Sequence, residues 1–174
     1  MYEIEAKVAI SKSEYERLKK EISKFSKFIG KIKKEDEYYN NPKIAYLRTR
    51  KLSNKAIFDI KIKNVKHGIE SNVELEWGIR NINKFQLLLK KIGIVSSVKK
   101  SKISEVYKYK NFTIELNYLR RLGYFMEIEC LIQKKEQIPK CKRELINLFK
   151  TLGFNSRQFE KKYYLDLLKE KALV

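Results

Sequence analysis

Apolar and polar positions alternate from Tyr2 to Ile10, with Tyr2, Ile4, Ala6, Val8 and Ile10 on one face and Glu3, Glu5 and Lys7 on the other. A period of two marks a strand, because successive side chains leave opposite faces of the pleat. The period then changes. Tyr15, Leu18, Ile22 and Phe25 recur at helical spacing, and Ser13 with Glu16 has the spacing of a capping box, so a helix is predicted from there to Gly30. Between Lys31 and Trp77 lie four more short alternating runs, separated by turn chemistry at Asn40-Asn41-Pro42, Ser53-Asn54 and Lys66-His67-Gly68.

A second helix is predicted behind Asn83, carrying Phe85, Leu88, Leu89 and Ile92, with Gly93 placed to end it in the left-handed conformation. Strand patterns return over Val98 to Tyr109, Phe112 to Tyr118 and Tyr124 to Ile132, the last two joined across Arg121-Leu122-Gly123. Pro139 suits the first turn of a helix that Gly153 closes. A last helical stretch, about Ser156 to Lys171, carries Phe159, Tyr163 and Leu167.

The length of 174 residues suits one domain, residues 1–174, with a real core. Apolar runs are too short to span a bilayer, and the first residues have neither the basic head nor the apolar stretch of a secretory signal, so a cytoplasmic location without membrane contact is expected. Cys130 and Cys141 lack metal or pairing spacing and read as idle thiols in a reducing compartment. Lys and Arg outnumber Asp and Glu by 40 to 21, which gives a net charge of +19 and favours a polyanionic partner. Nucleic acid is the commonest such partner, but the lysines spread over every segment instead of forming one arm or face, which disfavours it.

The polar faces of the strands are where chemistry collects. Glu-x-Glu occurs at Glu3/Glu5, Glu74/Glu76 and Glu127/Glu129, and each pair puts two carboxylates on one face about 7 Å apart. Other strands carry Lys7, Arg48 with Arg50, and Asp59 with Lys61 and Lys63. For any one pair, the wet face of an antiparallel sheet is the ordinary explanation. Three acidic pairs alternating with basic strands, with helices available to cover the apolar faces, point instead to polar faces turned inward, an arrangement in which every enclosed charge needs a partner. Glutamates favour Mg²⁺ or Mn²⁺ over zinc, and the lone His67, in a predicted turn, supports neither zinc chemistry nor a catalytic triad. Carboxylates for metal beside Lys and Arg for anionic oxygens are the parts that phosphoryl transfer requires.

In this setting Glu3-Ile4-Glu5-Ala6-Lys7 resembles the E-x-E-x-K signature of the CYTH superfamily, the triphosphate tunnel metalloenzymes. The resemblance continues in order through Asp36-Glu37-Tyr38-Tyr39, Leu47-Arg48-Thr49-Arg50, Lys61, Glu74-Leu75-Glu76 and Leu122 to Glu129. It implies an α+β fold: a closed antiparallel β-barrel, or tunnel, of about eight strands with helices packed outside. It implies that Glu3, Glu5, Glu127 and Glu129 hold Mg²⁺ or Mn²⁺ with help from Glu76 and Glu74. It further implies that Lys7, Arg48, Arg50 and Lys61 grip a small triphosphate, with Glu5, Lys7 and Glu129 at the catalytic centre and Asp36 and Lys63 as outlying members. The segment Lys161 to Leu168 is similar to the family's C-terminal helix, which places Lys161 and Tyr164 at one tunnel mouth.

Three positions depart from the family pattern. Asn72 stands where Arg is common before the middle Glu-x-Glu, and Asn117 where Asp is common before the last hairpin. The Lys-x-Arg strand reads either as Lys102 with Ser104 or as Lys100 with Lys102, and Lys102 belongs to both registers. The expected function is metal-dependent triphosphate hydrolysis by a monomer or homodimer. An adenylyl cyclase is the alternative, and a non-catalytic polyphosphate or RNA 5′-triphosphate binder the third reading.

Overall fold

The computed structural model describes residues 1–40, 46–62 and 64–172. Lys63 and the Asn41-Pro42 part of the first turn lie outside them. Nine strands form one antiparallel sheet: β1 (Tyr2–Ile10), β2 (Lys27–Tyr39), β3 (Tyr46–Lys51), β4 (Ala56–Ile62), β5 (Val65–Lys66), β6 (Ile69–Ile79), β7 (Ser96–Tyr109), β8 (Phe112–Leu119) and β9 (Gly123–Ile132). Their order is β1-β9-β8-β7-β2-β3-β4-β6-β5, and β6 pairs again with β1. Eight strands therefore close into a barrel, and the two-residue β5 stays outside it. Among the described residues the helices are α1 (Lys12–Ile22), α2 (Ile82–Lys91), α3 (Ile138–Thr151) and α4 (Tyr164–Ala172), and none is long and apolar enough to cross a membrane.

The alternation in β1 reads as a half-buried strand, yet both faces are buried. Ile4, Ala6 and Val8 are wholly covered, and Glu3, Glu5 and Lys7 are less than one-tenth exposed. The apolar face lies in the main core with Leu18 and Ile22 of α1 and Cys141, Leu145 and Phe149 of α3, while the charged face turns into the barrel. Each fully buried aliphatic or aromatic side chain contributes about 1.5–3 kcal/mol, so helices on the outside are what make an inward charged face affordable. Cys130 and Cys141 are both free and buried.

Four helix boundaries differ from the sequence expectation, each because a side chain or a strand neighbour captures the backbone. The capping box of α1 is Ser11 with Glu14, not Ser13 with Glu16: Glu14 N–H donates to Ser11 Oγ at 3.1 Å and Ser11 N–H to Glu14 Oε2 at 2.7 Å. The same helix stops at Ile22, where the Ser23 and Ser26 hydroxyls donate to the carbonyls of Lys19 and Ile22. Gly30 instead takes a positive φ at a register shift within β2. Asn81, not Asn83, caps α2 by accepting from Lys84 N–H at 3.0 Å, while Gly93 ends it at φ +83 as expected. The last helix begins only at Tyr164. Beyond Ala6, β1 has lost β6 as a neighbour, and the Lys7 carbonyl accepts the Glu160 N–H at 2.8 Å, which draws the chain before α4 across the barrel.

That crossing chain meets the β5–β6 turn. Gly68 has φ +76, and a β-carbon added there would lie 2.7 Å from Phe159 Cβ and 3.3 Å from its carbonyl oxygen. Gly68→Ala is therefore expected to cost about 2 kcal/mol, from left-handed strain plus a clash that the backbone cannot relieve. Urea unfolding checks this, and a change smaller than about 0.5 kcal/mol would contradict it.

Candidate active site

Strand stagger gives the barrel two unlike ends. At one end Tyr163 and Leu165 pack on Tyr38 and Tyr46, and Tyr164 packs on Leu119 and Phe125, so the start of α4 closes the barrel. At the other end β6 runs on past Val73, its last residue paired with β1, and Glu76 is exposed. The space between is full of charge. Only about 60 Å³ is free among the paired side chains, so an entering anion must take cations away from carboxylates already holding them.

Three carboxylates converge toward the open side. Glu5 and Glu129 are direct cross-strand partners, and one oxygen from each of Glu3, Glu5 and Glu129 lies within 4.8 Å of the others. Burial and the neighbouring carboxylates push all three up: Glu3 above its usual range, Glu5 well above it, and Glu129 to about 8. Lys61 supplies the partial remedy, with Nζ 2.5 Å from Glu3, 2.9 Å from Glu74 and 3.7 Å from Glu5. Burial opposes its charge, but these carboxylates hold it well above the ordinary lysine value. A crowded set of hard oxygens with too little positive charge fits Mg²⁺ or Mn²⁺.

Glu127 does not join that group, although it follows the same period. Lys102 Nζ lies 2.5 Å from its carboxylate and Asn117 Nδ2 donates to it at 2.6 Å; against the cost of burial, the Lys102 ammonium pulls it down to about 2. Glu115, opposite Glu127 on β8, accepts from Lys102 at 2.9 Å and from Lys34 at 2.5 Å, and it too is held below its usual range despite burial. The acidic group missing at Asn117 is thus present two residues earlier. Ser104 donates to Asn117 Oδ1 at 2.6 Å, and Lys100, Lys102 and Ser104 all belong to the inward face.

The basic wall centres on Asp36. Arg50 binds it through Nε at 2.7 Å and Nη2 at 2.9 Å, Lys100 at 2.8 Å and Arg48 at 3.5 Å. Burial works against the Asp36 anion, but the three cations keep it well below the usual aspartate value. Arg48 also donates to Asp59 at 2.7 Å.

Of the residues expected from sequence, the structure brings together Glu3, Glu5, Lys7, Asp36, Arg48, Arg50, Lys61, Asn72, Glu74, Lys102, Asn117, Glu127, Glu129 and Tyr164. It does not bring in Glu76, which stands beyond the point where β1 encloses β6. Lys161 also stays exposed, in the stretch ahead of α4. That segment sends Tyr163 inward beside Tyr164. Glu70, Glu115 and Lys34 were missed, although each lies two residues before a flagged position, Asn72, Asn117 and Asp36, and the strand period could have found them.

Fold and site together define an inside-out β-barrel whose ionisable side chains converge on an enclosed lumen. Residues 1–164 match the CYTH domain model, and the chain belongs to the CYTH family. A relative from Methanocaldococcus jannaschii, named "Putative adenylate cyclase", is 26% identical over 96% of this chain and 98% of its own length. A protein of Pyrococcus horikoshii OT3 has a similar structure, with TM-score 0.84 and 27% identity over 95% of this chain and 98% of that one. A Hippeastrum protein, named "Putative adenylyl cyclase" and described as having a dominant triphosphatase activity, shares the fold at TM-score 0.68 and 18% identity, over 98% and 95% of the two chains.

Proposed function

We propose that this protein hydrolyses a small triphosphate, tripolyphosphate foremost, in a reaction that requires Mg²⁺ or Mn²⁺. The observation that carries this reading is the convergence of Glu3, Glu5 and Glu129 beside a wall of buried cations. Those three carboxylates would hold the cation, which supplies charge neutralisation and an oriented water. Arg48, Arg50, Lys61 and Lys102, joined by Lys34 and Lys100, bind non-bridging phosphate oxygens. They also stabilise the charge that leaves with the departing phosphate group. Arg50 already makes a two-pronged contact with Asp36, a geometry that transfers directly to a phosphate.

The cyclase reading has the name of the Methanocaldococcus relative behind it. It also needs a platform for a nucleobase where the substrate tail emerges. Among the described residues lining the lumen the aromatic side chains are Tyr38, Tyr46, Tyr163 and Tyr164, which gather at the closed end. Hydrolysis asks for triphosphate, metal and water alone, and the site contains the groups for those.

Incubation with tripolyphosphate, ATP or thiamine triphosphate, with Mg²⁺, Mn²⁺ or chelator, should give metal-dependent phosphate release, fastest with tripolyphosphate. Cyclic AMP with stoichiometric pyrophosphate would establish the cyclase instead. Tight binding without turnover would leave a binding protein.

A further inference from the structure

The barrel closes along only part of β6. β1 pairs with Ile69–Val73, and from Glu74 to Ile79 the strand has β4 on one side and, among the described residues, no partner on the other. A strand edge presents N–H and C=O groups in a row, ready to pair with another chain unless it is blunted or covered. The side chains beside this edge are also uncovered. On the outer face Leu75 lies opposite Ile60 and Trp77 opposite Phe58, yet Leu75 is 45% exposed and Trp77 49%. α2 meets Phe58 through Phe85, with ring centroids 5.0 Å apart, and leaves an open groove of about 510 Å³ between itself and Trp77.

The edge matches itself. Laid antiparallel on a second copy with Trp77 opposite Trp77, it sets Leu75 opposite Ile79, Glu74 opposite Arg80 and Glu76 opposite Gly78. Apolar residues then meet on the outer face, and each Glu74 carboxylate faces an exposed guanidinium. Gly78, with nothing within 4 Å of where a β-carbon would stand, leaves room beside Glu76. The match stops where the unpaired stretch stops, since Val73 already has Tyr2 and Asn81 caps α2. A slip of one residue sets the apolar face of one copy against the charged face of the other. A slip of two either sets Glu76 against Glu76 or leaves Leu75 without a strand residue opposite. A bilayer would also cover Leu75 and Trp77, but it would leave the backbone groups of the edge unsatisfied.

We propose that two copies of this chain join through Glu74–Arg80 about a two-fold axis at Trp77, so that one sheet runs from barrel to barrel. Such an interface is isologous: each pair off the axis occurs twice. The proposal does not depend on what the lumen binds.

The test is sedimentation in high salt, where the repulsion between two chains of net charge +19 is screened. The wild type should be dimeric at about 100 µM, and Arg80→Glu, which sets two carboxylates face to face at an exposed position, should weaken the dimer about tenfold. Trp77 is the only tryptophan, so its emission should shift to the blue as the dimer forms. Register is tested by cross-linking: with copper–phenanthroline, Trp77→Cys should give a covalent dimer, and Leu75→Cys, about 13 Å from its own copy in this register, should not. A wild type that stays monomeric at about 100 µM overturns the proposal, as does a dimer that Arg80→Glu leaves unchanged, or one that Leu75→Cys links as readily as Trp77→Cys. A monomer whose Trp77 emission shifts on phosphatidylserine vesicles would assign the face to a membrane instead.

Discussion

Glu5→Gln combined with Glu129→Gln is expected to remove metal-dependent turnover by about a thousandfold or more, the several kcal/mol that a bound cation supplies. The same variant should be more stable than the wild type in chelator. Both outcomes have one cause: the carboxylates that would bind metal repel one another when it is absent, and burial raises Glu5 and brings Glu129 to about 8. A group protonated at about 8 when folded and at its ordinary 4.5 when unfolded makes the folded state hold more protons between those values. Stability is therefore fully present below the unfolded value and is lost as pH rises toward 8, by about 3–4 kcal/mol between pH 5 and 8. Below that window the depressed carboxylates act in the opposite sense. Glu127, at about 2, and Asp36 contribute stability that disappears as acid protonates them. The metal-free wild type should thus be most stable at about pH 5, with an alkaline decline that the double variant or added Mg²⁺ flattens. Thermal melts across pH, with and without chelator, measure this. A double variant that melts below the wild type in chelator at pH 8 would refute the account.

Asp36→Asn is expected to be among the most damaging single substitutions, at about 3–5 kcal/mol. The Asp36 side chain has no solvent exposure and faces Arg50, Lys100 and Arg48 together. The amide keeps the shape but leaves three buried cations facing one another. Tripolyphosphate should repair part of the damage, since it brings negative charge to the same guanidinium and ammonium groups, and the melting point of the variant should rise more on its addition than that of the wild type. A loss below about 1 kcal/mol in urea unfolding would mean that the cations find other counter-charges.

The period of two made the inward-facing residues legible, because a barrel strand alternates lumen and core as strictly as a half-exposed strand alternates core and water. It also left traces that went unread at Glu70, Glu115 and Lys34. What the period does not carry is depth. Glu74 and Glu76 are equivalent in sequence, but β1 stops pairing at Val73, so one meets Lys61 and the other meets solvent. The separation of Glu127 from Glu3, Glu5 and Glu129 has the same origin: Lys102 lies 25 residues away in sequence, on a strand whose stagger is fixed only when the barrel closes. Two helix starts were legible to within a residue pair, the errors falling where two candidate caps competed, Ser11 against Ser13 and Asn81 against Asn83, but the end of α1 and the start of α4 were each misplaced by eight residues, where tertiary contacts set the boundary. The family resemblance supplied the ordered series of site residues, and the alternation supplied the reason they face one another.

The barrel is closed by its first strand, which lies between β6 and β9. During synthesis β1 emerges before both of its partners, so Ile4 and Ala6 wait for β6, and Val8, which β6 does not reach, waits for Gly123–Ile132. Contacts this distant in sequence form slowly, and an unpaired apolar strand in the interval invites aggregation or a chaperone. Glu3 and Glu5 meet Glu129 only on that final closure, so a nascent chain can complete every hairpin from β2 to β8 and still have no metal site.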